Sequence, residues 1–210
     1  MTKETLKARC LQLIEDNKAA IIDIGQEIFA HPELGFKEHN TAALVRSTFE
    51  CLGIPYRDKL AITGVRGDLK GRSDGPRVMV MGELDAVVCP LHPQADRTTG
   101  AAHSCGHNAQ IASMLGAAMG LAPLADQLDG NVAFVAVPAE EYVELEYRER
   151  LRREGQIRFF GGKQEYLRLG VLDDIDMGMM IHSHAGVRDR HFLINCDSSG
   201  FLGKLIRFTG

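Results

Sequence analysis

The sequence has 210 residues, of which 45% are hydrophobic and 25% charged, and its formal net charge at pH 7 is −4. This composition is typical of a folded chain of one domain, or of one domain and part of another, and it excludes a mainly disordered chain. The small acidic excess gives no support to a nucleic-acid partner, and no segment approaches the ~20 apolar residues of a membrane span.

The first part of the chain is predicted to be helical. Apolar residues recur at spacings of three and four from Leu6 to Ile28, which predicts one long amphipathic helix with Asn17 as the only polar member of its inner face. A second helix is predicted over 40–52, with Gly53 as its C-terminal cap. The first residues lack the apolar core of a signal peptide, so we expect a cytoplasmic protein.

Short apolar runs predict four strands, over 64–69, 78–81, 132–137 and 177–181. The last three are almost entirely apolar, which is typical of strands buried on both faces of a sheet. Helices are predicted after the second and third strands, over 107–121, 146–153 and 163–169. The basic stretch 148–153 is interpreted as an exposed helix face. Alternating strands and helices predict an α/β three-layer sandwich, with a largely parallel mixed sheet flanked by helices.

Acidic residues and histidines directly follow three of the predicted strands. Asp85 follows the second strand, Glu140 and Glu141 follow the third, and His182 follows the fourth. Ligands in open α/β sheets bind beyond the carboxyl ends of the strands. We therefore expect these four side chains to lie in one crevice.

Cys105 and His107, at the start of a predicted helix, form a fourth contribution to this crevice. A helix N-terminus favours the thiolate form of a cysteine, which is the form that binds metals. Cysteine, histidine and carboxylate together suit zinc, manganese or cobalt. The adjacent Glu140 and Glu141 suit a division of roles, in which one carboxylate binds metal and the other is a general base.

Each of these features alone also has a structural interpretation. The Cys-Gly-His sequence could be a loop and a helix cap, the glutamate pair the start of a surface helix, Asp85 a turn cap and His182 a core histidine. Their coincidence at the strand ends favours a site. A different chemical alternative is thiol catalysis by Cys105 with His103 or His107 as its base, but it leaves the glutamate pair without a role.

Four segments, in this order along the chain, resemble the motifs of M20-type metallopeptidases. They are HPELGFKE at 31–38, GELDA at 82–86, GAAHSCGHN at 100–108 and PAEE at 138–141. The branch they resemble most is the amidohydrolases that include hippurate, auxin-conjugate and aminobenzoyl-glutamate hydrolases. Many members of that branch have aspartate after Cys-Gly-His. Asn108 at this position, together with Glu83, is similar to the aminobenzoyl-glutamate subgroup.

The resemblance implies a role for each matching residue. The residues that match metal ligands are Cys105, His107, Glu141 and His182. Glu140 matches the general base that acts on metal-bound water, and Asp85 matches the aspartate that orients a ligand histidine. The implied cofactors are two divalent metal ions, and the implied substrate is a small N-acyl amino acid or dipeptide, as for aminoacylases and carboxypeptidases.

The resemblance also implies a fold of the phosphorylase/hydrolase-like, zinc-exopeptidase type, with an inserted lid domain through which a full-length form is expected to make homodimers. We assign residues 1–202 to the catalytic domain and 203–210 to the start of a truncated lid, because family members have a lid after a strand like the one predicted over 205–208. That this strand has no partner after it indicates truncation, or a partner earlier in the sheet. Family members are nearly twice as long and have a further ligand histidine, so we expect this chain alone to be a poor catalyst. The alternative is a non-catalytic metal-binding fragment or pseudoenzyme.

Overall fold

The computed structural model describes residues 1–183 and Phe208. The described part of the chain contains six α-helices: α1 (Lys3–Asp16), α2 (Lys18–Ala30), α3 (His39–Cys51), α4 (His107–Leu121), α5 (Leu145–Arg153) and α6 (Gly162–Arg168). The same residues form seven β-strands: β1 (Tyr56–Leu60), β2 (Gly64–Leu69), β3 (Arg77–Glu83), β4 (Val87–Val88), β5 (Ala101–Ala102), β6 (Asn131–Val137) and β7 (Met177–Met180). A 3₁₀ helix, Ala122–Gln127, follows α4.

Five of these strands form one mixed sheet in the order β1-β2-β6-β3-β7. β3 pairs in parallel with β6 and with β7, whereas β2 is antiparallel to both of its neighbours. Four of the five strands in this described sheet therefore run in one direction. The adjacent strands β6, β3 and β7 bring their carboxyl ends to the same edge, which is where the sequence places its acidic residues and histidines.

Different helices cover the two faces of the sheet, and β6 shows why its sequence is almost entirely apolar. Phe134 and Ala136 belong to a core that also contains buried residues of α2, α3 and α4. Val135 and Val137 belong to a second core, with buried residues of α5 and α6. Adjacent residues of a strand point to opposite faces, so a strand between two cores must be apolar at every position. The predicted three-layer sandwich is confirmed.

The N-terminal segment forms two helices, so the prediction of one long helix is wrong. α1 ends and α2 begins at Asn17, whose side-chain amide donates a hydrogen bond of 2.8 Å to the carbonyl oxygen of Leu13. Asparagine offers the backbone such local bonds in place of the regular helical pattern. The single polar residue of the predicted inner face is therefore the point at which the helix breaks.

Most other predicted elements lie within two residues of their expected bounds, and β2 and α4 match exactly. β1 was not predicted, because three of its five residues are charged. β7 is present, but the prediction that both its faces are buried is wrong, since all four of its residues are exposed. It lies at the edge of the sheet as described, with β3 on one side.

The basic stretch 148–153 is not an exposed face throughout. Arg148 is 0% exposed and Leu151, three residues later on the same face of α5, is also buried. The other three arginines of this helix are exposed. Charge pattern alone predicted the solvent-facing side of α5 and missed the arginine that faces inward.

The first turn of α4 is fixed against α2. A Cβ atom at Gly25 would lie only 3.3 Å from that of Ala112, so the glycine lets the two helices approach closely. The side-chain amide of Asn108 donates a hydrogen bond of 3.1 Å to the main-chain oxygen of Gly25. This contact holds the helix start that bears His107.

Two predictions about the end of the chain are not tested. The boundary between residues 202 and 203 lies outside the described residues, as does the predicted strand 205–208 apart from Phe208. Among the residues that the structure does describe, no helix combines the length and apolar character needed to cross a bilayer.

Candidate metal centre at the strand ends

The structure brings the six predicted site residues together at the carboxyl edge of the sheet. Asp85 lies two residues beyond the end of β3, Glu140 and Glu141 follow β6, and His182 follows β7. Cys105 and His107 flank Gly106, whose φ of +93° lies in the left-handed region that favours glycine. This turn at the start of α4 directs the cysteine and the histidine to the same edge.

His107 lies at the centre of the cluster and is almost fully buried. Its Nδ1 atom lies 2.8 Å from the main-chain oxygen of Asp85 and 3.5 Å from Oδ1 of that residue. The other carboxylate oxygen of Asp85 accepts a hydrogen bond of 2.9 Å from the N–H of Glu141. Asp85 therefore orients His107 and at the same time fixes the main chain of Glu141, as expected for a carboxylate that supports a ligand histidine.

Cys105, His107 and His182 form a first group of possible metal ligands, with one atom of each residue within 4.8 Å of the others. The Sγ atom of Cys105 lies 3.4 Å from Nε2 of His182. The imidazole rings of His107 and His182 meet edge to face, with their centroids 5.8 Å apart. Carboxylate oxygens of Glu140 and Glu141 each lie 3.9 Å from Nε2 of His107.

Glu83 is a member of the cluster that the sequence analysis did not assign. It is 1% exposed, and its Oε2 atom lies 3.0 Å from Nε2 of His107. Glu83, His107 and Glu140 form a second group of possible metal ligands. The sequence does contain a signal for Glu83. Residues two apart in an extended segment share a face, so a site that includes Asp85 at the end of β3 is expected to include Glu83 as well.

Lys163, from the first turn of α6, was also missed. Its ammonium group forms ion pairs with Glu83 and with Glu140, the second at 3.6 Å. Burial alone would raise the pKa of Glu83, but the contacts with His107 and Lys163 outweigh it and lower the pKa to about 2. No local pattern links Lys163 to the strand ends, since only the packing of α6 brings it there.

The cluster is rich in carboxylates, two of which are almost completely buried. Four carboxylates face two histidines and one lysine in this part of the structure, and both oxygens of Glu83, Oδ1 of Asp85 and Nε2 of His107 lack a well-aligned hydrogen bond. Burial alone would lower the pKa of His107, but Asp85 and Glu83 raise it to about 10. Protons and metal ions would therefore compete for the ligand atoms of this cluster.

The environment of Cys105 differs from the prediction. Burial, and then the adjacent carboxylate of Glu141, raise the pKa of this thiol to about 12, so without a cation the helix N-terminus does not favour the thiolate. His103 is buried, and desolvation followed by the charge of His107 lowers its pKa to about 4. The Cys105 thiol is within hydrogen-bond distance of the imidazole of His182. These observations disfavour thiol catalysis with His103 or His107 as the base.

The chemistry of the donor atoms fits a bound metal. Thiol, imidazole and carboxylate groups converge from four different elements, and several of their buried atoms make no well-aligned hydrogen bond among the described residues. A model of peptidase family M20/M25/M40 matches residues 79–186, about half of the chain, and includes all six predicted site residues. The chain belongs to the M20 family. The resemblance seen in the four sequence motifs is thereby confirmed.

Curated relatives of this M20 chain are similar along most of its length. It is 29% identical over 187 residues to an N-acyl-L-amino acid amidohydrolase of Geobacillus stearothermophilus, covering 87% of this chain and 45% of the relative. It is 30% identical over 214 residues to the putative amidohydrolase YhaA of Bacillus subtilis, covering 100% of this chain and 49% of the relative. The chain spans about a third to a half of the length of the curated relatives it matches.

Solved structures give the same assignment. The Bacillus subtilis YXEP protein, described as a dinuclear metal-binding peptidase of the M20 family, is 30% identical with a TM-score of 0.63, covering 79% of this chain and 44% of that one. An aminobenzoyl-glutamate utilization protein of Klebsiella pneumoniae, 18% identical with a TM-score of 0.65, covers 85% of this chain and 47% of that one, and supports the fold alone.

Proposed function

We propose that this M20 chain binds divalent metal ions and hydrolyses an amide bond. The proposed metal ligands are Cys105, His107, Glu141 and His182, and the proposed general base in the hydrolysis is Glu140. The observation that supports this most directly is the first ligand group, in which atoms of Cys105, His107 and His182 lie within 4.8 Å of one another. Glu140 lies beside that group, 30% exposed and therefore accessible to a substrate.

The orientation of His107 adds a residue to the ligand set. Its Nδ1 atom faces Asp85, so Nε2 is the atom left to bind a metal, and Glu83 lies 3.0 Å from Nε2. We therefore include Glu83 among the residues that would hold the metals. When bound, two divalent ions such as zinc, manganese or cobalt would polarise the scissile carbonyl group and lower the pKa of the attacking water.

Glu140 would move the proton. As the water oxygen bonds to the carbonyl carbon, Glu140 accepts a proton, and it donates this proton to the amine nitrogen as the carbon–nitrogen bond breaks. Burial, and then the charge of Glu83, raise the pKa of Glu140, which helps the carboxyl hold a proton between the two steps. Lys163, 3.6 Å from Glu140, fixes the position of the carboxylate.

The names of the relatives support a proposal for the substrate class. They are named as an N-acyl-L-amino acid amidohydrolase, an IAA-amino acid hydrolase and a thermostable carboxypeptidase. We propose a small N-acyl amino acid or dipeptide as the substrate. The homodimer of a full-length form and the cytoplasmic location stay predictions.

The test is an assay of amine release from a panel of N-acyl amino acids and dipeptides. The purified chain is supplied with Mn²⁺, Zn²⁺ or Co²⁺, with the Glu140→Gln variant and a chelator-treated sample as controls. Turnover that requires both the metal and Glu140 supports the proposal. Metal binding without turnover favours the alternative, a non-catalytic metal-binding member of the family. Absence of metal binding contradicts both.

A further inference from the structure

We propose that Arg148 is a positioning residue that holds the turn 138–141 in the shape that directs Glu140 and Glu141 to the metal centre. This inference rests on the proposed function, because it takes the roles of Glu140 and Glu141 from there. It assigns a task to helix α5, which the function proposed above does not use.

The guanidinium group of Arg148 binds the main chain of this turn at two points. Nη1 donates to the carbonyl oxygens of Ala139 at 3.3 Å and Phe160 at 2.7 Å, and Nη2 donates to the carbonyl oxygen of Glu141. The planar fork of an arginine can hold several acceptors in a fixed geometry. Arg148 thus spans Glu140, binding the residue before it and the residue after it.

The turn needs such support because its backbone is strained. Ala139 has a φ of +52°, in the left-handed region that residues with a Cβ atom rarely adopt. Its N–H donates to Glu38 at 2.7 Å, and its carbonyl oxygen accepts from the N–H of Gly162 at 3.2 Å as well as from Arg148. The N–H of Glu141 is held by Asp85. Arg148 binds the carbonyl oxygen of Glu141 and so fixes the other side of this residue.

The surroundings of Arg148 leave it little freedom to move. It is 0% exposed, and the centre of its guanidinium lies 5.5 Å from the ring centroid of Phe36 and 5.9 Å from that of Tyr142. A Cβ atom at Gly35 would clash with the guanidinium group and with Ala139. Burial lowers the pKa of Arg148, and the charges of Asp85 and Glu38 oppose this effect only in part.

Arg66 provides a matched control for a purely structural role. It is a second buried arginine, 1% exposed, that donates to the main-chain oxygen of Val171 and pairs with Asp68 and Asp174. Asp174 and Asp68 also contact Arg77, the first residue of β3, whereas the metal centre follows the last residue of that strand. Loss of Arg66 therefore perturbs the far end of the same sheet.

The first experiment measures Mn²⁺ affinity of the whole chain by titration calorimetry for wild type, Arg148→Met and Arg66→Met. Loss of an outer-shell partner typically lowers metal affinity about 10–100-fold, which is the range expected for Arg148→Met. Arg66→Met should lower the melting temperature and leave the Mn²⁺ affinity within about threefold of wild type. Wild-type affinity in Arg148→Met, or equal losses in both variants, would overturn the inference.

A second readout does not depend on metal. Hydrogen–deuterium exchange of the metal-free chain should increase in the peptide spanning 137–144 in Arg148→Met and stay unchanged there in Arg66→Met. If wild type binds no metal, the proposed function fails and this exchange measurement alone decides whether Arg148 holds the turn; unchanged exchange refutes it. If Arg148→Met does not fold, Arg148→Lys, which keeps the charge but lacks the fork, is judged by the same two criteria.

Discussion

Glu38→Gln is predicted to stabilise the metal-free protein at neutral and alkaline pH. Glu38 is fully buried, and its two carboxylate oxygens accept hydrogen bonds from the N–H of Ala139 at 2.7 Å and from the hydroxyl of Thr63 at 2.5 Å. A glutamine can keep both contacts, since its oxygen accepts from Ala139 and its amide donates to the Thr63 hydroxyl oxygen. The substitution therefore removes a buried charge while both of these hydrogen bonds can be kept.

The expected magnitude follows from the pKa of Glu38. Burial, and then the charge of Asp85, raise this pKa from 4.5 to about 7. The folded state thus binds more protons than the unfolded state between those two values, so stability falls as pH rises through that window. Each pH unit there lowers the free energy of unfolding by about 1.4 kcal/mol, and the whole window by about 3 kcal/mol.

The assay is urea unfolding in the presence of a chelator, at a series of pH values from 4.5 upwards. The Glu38→Gln variant should match wild type at the acid end and exceed it by about 3 kcal/mol at about pH 8, with an unchanged denaturant slope. Asp23→Asn, which removes an exposed carboxylate from α2, is the control and should show no such trend. A constant difference between Glu38→Gln and wild type across this range would refute the reasoning, because only a carboxyl that titrates inside the window produces a slope.

Three further predictions concern the metal centre. Glu140→Gln should lower amine release by at least ~10²-fold, because the proposed role of this residue is proton transfer. Calorimetry should show an unchanged metal stoichiometry. A loss of metal instead would mean that Glu140 is the ligand and Glu141 the base. Cys105→Ala and His107→Ala should each weaken Mn²⁺ binding about tenfold or more. A chelator should lower the melting temperature of wild type but not of His107→Ala. If the melting temperature of wild type does not respond to chelator, the proposed metal site is contradicted. Lys163→Met should destabilise the metal-free chain by roughly 1–3 kcal/mol, because it leaves buried carboxylates unpaired. Saturating Mn²⁺ should restore most of this loss. A loss of stability that Mn²⁺ leaves unchanged would show that Lys163 does not balance the charge of the metal centre.

The sheet and the position of the six residues at its edge could be predicted because each leaves a local signal. β3 and β6 are apolar at nearly every position since each separates two cores, and the acidic residues and histidines follow directly after the strands. Parallel neighbours then place those residues at one edge without any knowledge of the packing. The positions could be inferred in this way, although the assignment of base and ligand to Glu140 and Glu141 came from family resemblance.

The missed residues are those whose role depends on tertiary packing. Lys163 and Arg148 lie on helices rich in charge, where a buried cation has the same sequence pattern as an exposed one. The error for β7 is the opposite one. Its apolar methionines predicted a buried strand, whereas 64% of Met177 is exposed. The break at Asn17 was visible as a lone polar residue, but periodicity alone does not separate an inner-face asparagine from a helix end.

The bond between Asn108 and Gly25 bears on how sequences of this family can diverge. The main-chain oxygen of Gly25, inside α2, accepts the Asn108 bond from outside its own helix, and an aspartate at position 108 would place a second acceptor and a negative charge beside it. An exchange of asparagine for aspartate after Cys-Gly-His would therefore remove the side-chain bond between α4 and α2 in this chain and replace it with a repulsive contact. Engineering aspartate into this chain should succeed only together with changes around Gly25, which lies 83 residues away in sequence.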